Sequence, residues 1–155
     1  PLVFDLAGPL AELEGRGTSE ATIDALCPVV DLFLASTVPA ESYLGSTGRE
    51  AAVELRERGV ERVALTRGAE GAVLAEGGTV VEVPAFDVEP VDTTGAGDAF
   101  SAALLDAWLL DGRPPREAGR FAAAAAAENC TAEGAQGGLP TRGAVRRRLD
   151  DPGCG

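Results

Sequence analysis

Val91-Asp92-Thr93-Thr94-Gly95-Ala96-Gly97-Asp98-Ala99-Phe100 is the most informative stretch of the 155 residues. The β-prone residues Val88 to Val91 read as a strand, Gly95 and Gly97 turn the chain, and an apolar helix follows from about Ala96 to Leu110. Glycines at such a junction let the backbone approach a ligand. The N–H groups of the first helical turn point outward with the helix dipole behind them, which makes an anion hole of Gly95, Ala96, Gly97 and Asp98. Asp98 lies where the dipole favours a carboxylate and beside the place an anion would occupy, so it suits taking a proton from an attacking hydroxyl. The same residues also serve as an ordinary turn and helix cap, and local chemistry alone leaves both readings open.

Upstream of this stretch, apolar runs alternate with helical patterns. Leu2–Leu6 is a short strand. A helix capped by Thr18 or Ser19 runs to Leu26, stopped by Pro28, and Val29–Leu34 is a second strand. Pro39 suits the first turn of a short helix ending at Gly45, and Thr47-Gly48-Arg49-Glu50 has capping-box spacing before an amphipathic helix to Arg58. Val60–Thr66 is the next strand. This alternation predicts βαβ units and a mostly parallel sheet. Ala72–Ala75 and Thr79–Val83 flank Gly77-Gly78 and predict an antiparallel hairpin. Downstream, helices are predicted over Arg116–Asn129 and Thr141–Leu149, the latter introduced by Pro140.

Composition narrows the chemistry. A chain with 45% hydrophobic residues builds a core rather than a disordered tail. Its 25 acidic against 13 basic residues give a net charge of -12, which excludes broad attraction to nucleic acid or anionic lipid. There is no Lys and no His, so every cation is Arg. That removes His-based triads, His-ligated metals, Schiff bases and a phosphate-loop lysine. Cys27, Cys130 and Cys154 are far apart and odd in number, against a zinc site or disulfide framework and in keeping with a reducing cytoplasm. No apolar run approaches the ~20 residues of a membrane span, and no leader pattern opens the sequence. An acidic, Lys-free surface suggests a halophilic protein; plain solubility explains it equally well.

Asp92–Asp98 followed by Ala102-Ala103-Leu104-Leu105 resembles the C-terminal signature of the ribokinase-like (PfkB) carbohydrate kinases. The similarity extends from Phe4-Asp5 through Thr66-Arg67-Gly68-Ala69-Glu70-Gly71 to Gly134-Ala135 and Leu139-Pro140-Thr141. The resemblance implies a three-layer α/β/α fold with a mostly parallel sheet, and phosphoryl transfer from ATP to a sugar hydroxyl with Mg²⁺. Asp98 matches the family's general base, and residues 95–98 match its anion hole. Thr66, Gly68 and Gly71 match the nucleotide loop, and Ala123 stands where an Asn or His often lies beside adenine. Glu41 matches the Glu of an Asn-x-x-Glu motif that arranges Mg²⁺ through water, while the Asn position is Val38. Asp92 and the carbonyls of Thr94, Ala132 and Gly134 match a loop that holds a monovalent cation such as K⁺ in many members.

Family members are roughly twice this length. The resemblance therefore makes residues 1–155 the C-terminal, nucleotide and catalytic-base part, without the N-terminal half that carries the lid and most sugar contacts. The partners implied are ATP and a small sugar, together with either the missing half or a second copy of the chain. The alternative is a truncated relative that binds nucleotide or a partner without catalysis.

Overall fold

The computed structural model describes residues 1–150, so Cys154 lies outside the described residues. The chain forms two compact units. One comprises residues 1–68 and 72–82, the other residues 69–71 and everything from Val83 onward.

The first unit is built on β1 (Val3–Leu6), β2 (Leu32–Ser36), β3 (Arg62–Thr66), β4 (Ala72–Glu76) and β5 (Thr79–Val83), which lie in sheet order β1-β2-β3-β4-β5. β1 and β2 pair in parallel, as do β2 and β3; β4 runs antiparallel to β3 and turns at Gly77-Gly78 into β5. The expected hairpin is present, and the sheet is mixed. Helices α1 (Leu10–Gly15), α2 (Glu20–Leu26), α3 (Thr37–Leu44) and α4 (Gly48–Glu57) connect the strands. Alternate strand residues Phe33, Ala35, Val63, Leu65, Val73 and Ala75 share a core with Ile23, Tyr43, Ala51, Ala52 and Leu55. Each large aliphatic buried there contributes roughly 1.5–3 kcal/mol. Leu32, Leu34, Ala64 and Leu74, on the opposite face, are buried too, as central strands of an α/β sheet require.

The second unit is helical. α5 (Ala96–Leu104) continues into a widened segment over Leu105–Leu110, where Asp111 N–H reaches back to Asp106 O at 2.9 Å. α6 (Pro115–Asn129), α7 (Gly134–Gly137) and α8 (Arg142–Asp150) follow. α5 packs on α6, whose alanines Ala118, Ala122, Ala123, Ala124 and Ala125 are buried, small side chains that suit close packing on more than one side. No helix among the described residues is long and apolar enough to cross a membrane.

Several elements differ from the sequence reading. Val88–Val91 is not a strand. Pro90 inside the segment has no N–H to give a ladder, and Val91 N–H bonds Cys130 O at 2.8 Å instead of a sheet neighbour. Val29 and Val30 close the end of α2 by donating to Leu26 O, which moves the start of β2 to Leu32. Ser19 caps α2 by accepting from Thr22 N–H, but Thr47 makes no side-chain cap, so the capping box is absent. α1 follows Pro9 without any cap the sequence advertised.

Candidate functional site

The turn that opens α5 belongs to the helical unit. Gly95 is its N-cap at φ +80°, and an added Cβ would lie 2.9 Å from Ala135 O, so both backbone conformation and space require glycine. Ala96 N–H is taken by Thr93 O at 3.1 Å. The N–H groups of Gly97 and Asp98 have no acceptor among the described residues, which leaves them as the donors the turn presents outward. Asp98 is exposed on that same turn, and no hydrogen bond or ion pair engages its carboxylate among the described residues. A carboxylate acceptor and two orphan donors thus share one helix start, where the dipole favours anions.

Asp92 organises the residues just before. Its Oδ1 accepts from Thr94 N–H at 2.8 Å and its Oδ2 from Gly134 N–H at 2.8 Å. The Thr94 side chain, then the backbone N–H groups of Thr94 and Gly134, hold its carboxyl below the usual carboxylate range. Thr94 O accepts from Asn129 Nδ2 at 2.9 Å. Asp92, Thr94 and Gly134 therefore meet beside residues 95–98, with Ala132 on the connection between α6 and α7. Both Asp92 oxygens are thus taken by backbone N–H groups, which fixes the course of the chain just before the helix start.

The remaining candidates are positioned by other features. Gly71, at φ +89°, would place an added Cβ 2.0 Å from Val83 O, so its glycine answers a packing need in the helical unit. Ala123 is buried at 6% exposure in α6 and presents no polar edge. In the sheet unit, Thr66 ends β3 opposite Ser36 of β2, and its carbonyl accepts from the Thr37 hydroxyl at 3.3 Å. Gly68 opens the tight turn Gly68–Glu70 that follows. Glu41 is exposed on α3, with Val38 also exposed one turn earlier. One exposed carboxylate fits a Mg²⁺ ion that keeps most of its waters, and Val38 adds no ligand.

Sequence reasoning missed Asn129, the one fully buried polar residue among those described. The available signal was an amide closing an otherwise apolar alanine face. It also missed the Thr37 hydroxyl, which only the pairing of β2 with β3 brings to Thr66.

Comparison with known proteins places these features in context. The pfkB family carbohydrate kinase pattern matches residues 15–142. Ribokinase from Bacillus subtilis is 38% identical over 121 residues, 73% of this chain and 41% of that protein. The crystal structure of ribokinase from Thermotoga maritima superposes with a TM-score of 0.76 at 30% identity, covering 96% of this chain and 48% of that one. A Ribokinase II-type structure from E. coli, solved in complex with ATP and Mg²⁺, gives a TM-score of 0.77 at 26% identity over 91% of this chain and 44% of that one. The mixed sheet flanked by helices is thus the ribokinase fold, and the chain spans about half the length of the relatives it matches.

Proposed function

Because the chain belongs to the pfkB family of carbohydrate kinases, we propose that it is the C-terminal, nucleotide and catalytic-base half of an ATP-dependent sugar kinase. The observation that carries this reading is the start of α5, where the free N–H groups of Gly97 and Asp98 stand on the same turn as the unengaged Asp98 carboxylate. Asp98 accepts the proton of a sugar hydroxyl as that oxygen forms its bond to the γ-phosphorus. The bond from the γ-phosphorus to the β,γ-bridging oxygen breaks, and ADP leaves. The anion hole of residues 95–98 stabilises charge on the phosphoryl group in flight, the kind of electrostatic positioning on which phosphoryl transfer depends. Thr66, Gly68 and Gly71 belong to the nucleotide loop, and Ala123 takes the position at which relatives often carry an Asn or His for the base. Glu41 would hold Mg²⁺ through water, and that ion when bound would offset negative charge on the nucleotide phosphates. Asp92 with the carbonyls of Thr94, Ala132 and Gly134 would hold a monovalent cation such as K⁺ beside the anion hole. Such a protein works in the cytoplasm, where ATP is abundant.

Val38 favours a second reading. It offers no donor in the Mg²⁺ motif, which suits a relative that binds nucleotide or a protein partner without catalysis. The discriminating experiment measures ADP formation with a panel of sugars and nucleosides in high KCl. It compares the 155-residue chain alone with the chain plus a supplied N-terminal half of a ribokinase-like enzyme. The kinase reading expects near-zero turnover alone and substrate-dependent turnover in the mixture. Nucleotide binding without turnover in either arm would leave the binding module as the better account.

A further inference from the structure

Asn129 has no exposed surface, yet it carries an amide, a group whose burial is unfavourable unless it is hydrogen-bonded. Its Nδ2 donates to Thr94 O at 2.9 Å, across 35 residues of chain. Its Oδ1 is buried and has no hydrogen-bond partner among the described residues. With no donor bonded to the oxygen, the Thr94 carbonyl decides the amide's orientation, because the reverse orientation would oppose two acceptors. The neighbouring Cys130 carbonyl accepts from Val91 N–H at 2.8 Å and Asp92 N–H at 3.3 Å. Two consecutive residues at the end of α6 therefore grip both ends of the 91–94 segment. Gly138 packs against the Asn129 backbone, since an added Cβ there would lie 2.3 Å from the Asn129 main-chain oxygen.

We propose that Asn129 is a positioning residue for the anion hole: its buried amide holds the Thr94 carbonyl, so that the N–H groups of Gly97 and Asp98 stay aimed at one point. The inference rests on the phosphate-binding reading of residues 95–98. It goes beyond that reading by assigning a job to a residue that touches neither nucleotide nor sugar. An isolated turn with two glycines samples many conformations, and donors that wander lose much of their value to a developing charge. Asp92 restrains the turn from its start; Asn129 does so at Thr94, immediately before Gly95. A residue with only a packing role would need shape but no donor.

The test compares Asn129→Leu, which keeps similar volume without the donor, and Asn129→Ala with wild type in the whole chain. Hydrogen exchange resolved by mass spectrometry is measured across the protein, with and without ATP. The expected result is a rise in exchange of tenfold or more at the hydrogen-bonded amides of Thr94 and Ala96, while the strands and the middle of α6 keep wild-type protection. In a catalytically competent assembly the same variants lower kcat at least tenfold and change the KM for ATP less than threefold. Unchanged exchange at Thr94 and Ala96 overturns the proposal. So does loss of protection spread evenly over α5 and α6, or failure of both variants to fold, because each makes Asn129 a packing residue. If ATP protects nothing at residues 95–98 in wild type, the phosphate-binding reading fails separately, while the exchange comparison still reads the role of Asn129.

Discussion

At the scale of single residues, Asp98 and Gly97 stand on one turn and fail differently. Asp98→Asn keeps the size and the helix start but removes the proton acceptor. In an enzyme containing this half, kcat should fall by about 10² or more, the usual scale for a general base, with little change in ATP binding. ATP affinity should rise slightly, because a negative charge beside the phosphates is gone. An added Cβ at Gly97 meets nothing within 4 Å, so the protein itself tolerates a larger side chain there. Gly97→Val should therefore leave stability nearly unchanged while it crowds the incoming phosphate, weakening ATP binding as well as turnover. Initial rates and ATP dissociation constants for both variants at fixed salt make the comparison. Near wild-type kcat in Asp98→Asn would reduce Asp98 to a helix-terminal carboxylate. These residues were legible because the site is local: two glycines and an acid at a helix start lie within a few positions of each other. Asn129 was not, because its role is created by a contact 35 residues away that no spacing rule encodes.

Among elements, the loop from β3 to β4 shows how a motif glycine can answer to packing before chemistry. Gly71 follows the turn Gly68–Glu70 and has the Val83–Ala85 backbone pressed against it, 2.0 Å from an added Cβ. Gly71→Ala should destabilise the chain by about 3 kcal/mol or more, combining left-handed strain with a backbone clash that no side-chain rotation relieves. Gly78→Ala is the control, since its added Cβ meets nothing within 4 Å and its φ is unremarkable. Denaturant unfolding of the two variants separates them, and equal midpoints would refute the packing account. The same contrast explains which elements the sequence revealed. The hairpin at Gly77-Gly78 and the stop of α3 at Gly45, φ +70°, are enforced by adjacent residues and were readable. The 88–91 segment looked like a strand by propensity, but its backbone found Cys130 rather than a sheet neighbour. Tertiary partners overrode local preference there.

For the whole molecule the governing quantity is charge. Thirteen Arg face 25 acidic residues, and several of those Arg are already paired: Arg58 with Asp24 at 2.6 Å and Glu54 at 2.7 Å, Arg113 with Asp111 at 2.8 Å, and Arg148 with Glu128 at 2.8 Å. The surplus carboxylates repel one another over distances longer than any ion pair. Salt acts on both terms. Partly exposed pairs contribute only about 0–1 kcal/mol each, so screening them costs little. Repulsion among the excess charges is long-ranged, and the Debye length falls from about 10 Å at 0.1 M to about 3 Å at 1 M, which removes most of it. The melting temperature should therefore rise steadily from 0.1 M to molar KCl. Equal NaCl should give the same rise if general screening is responsible. A gain specific to KCl and complete within millimolar concentrations would instead report a bound cation, and Asp92→Asn should abolish that component alone. A melting temperature indifferent to either salt would mean that the acidic surface is already well tolerated in dilute buffer, and the halophilic reading would fall.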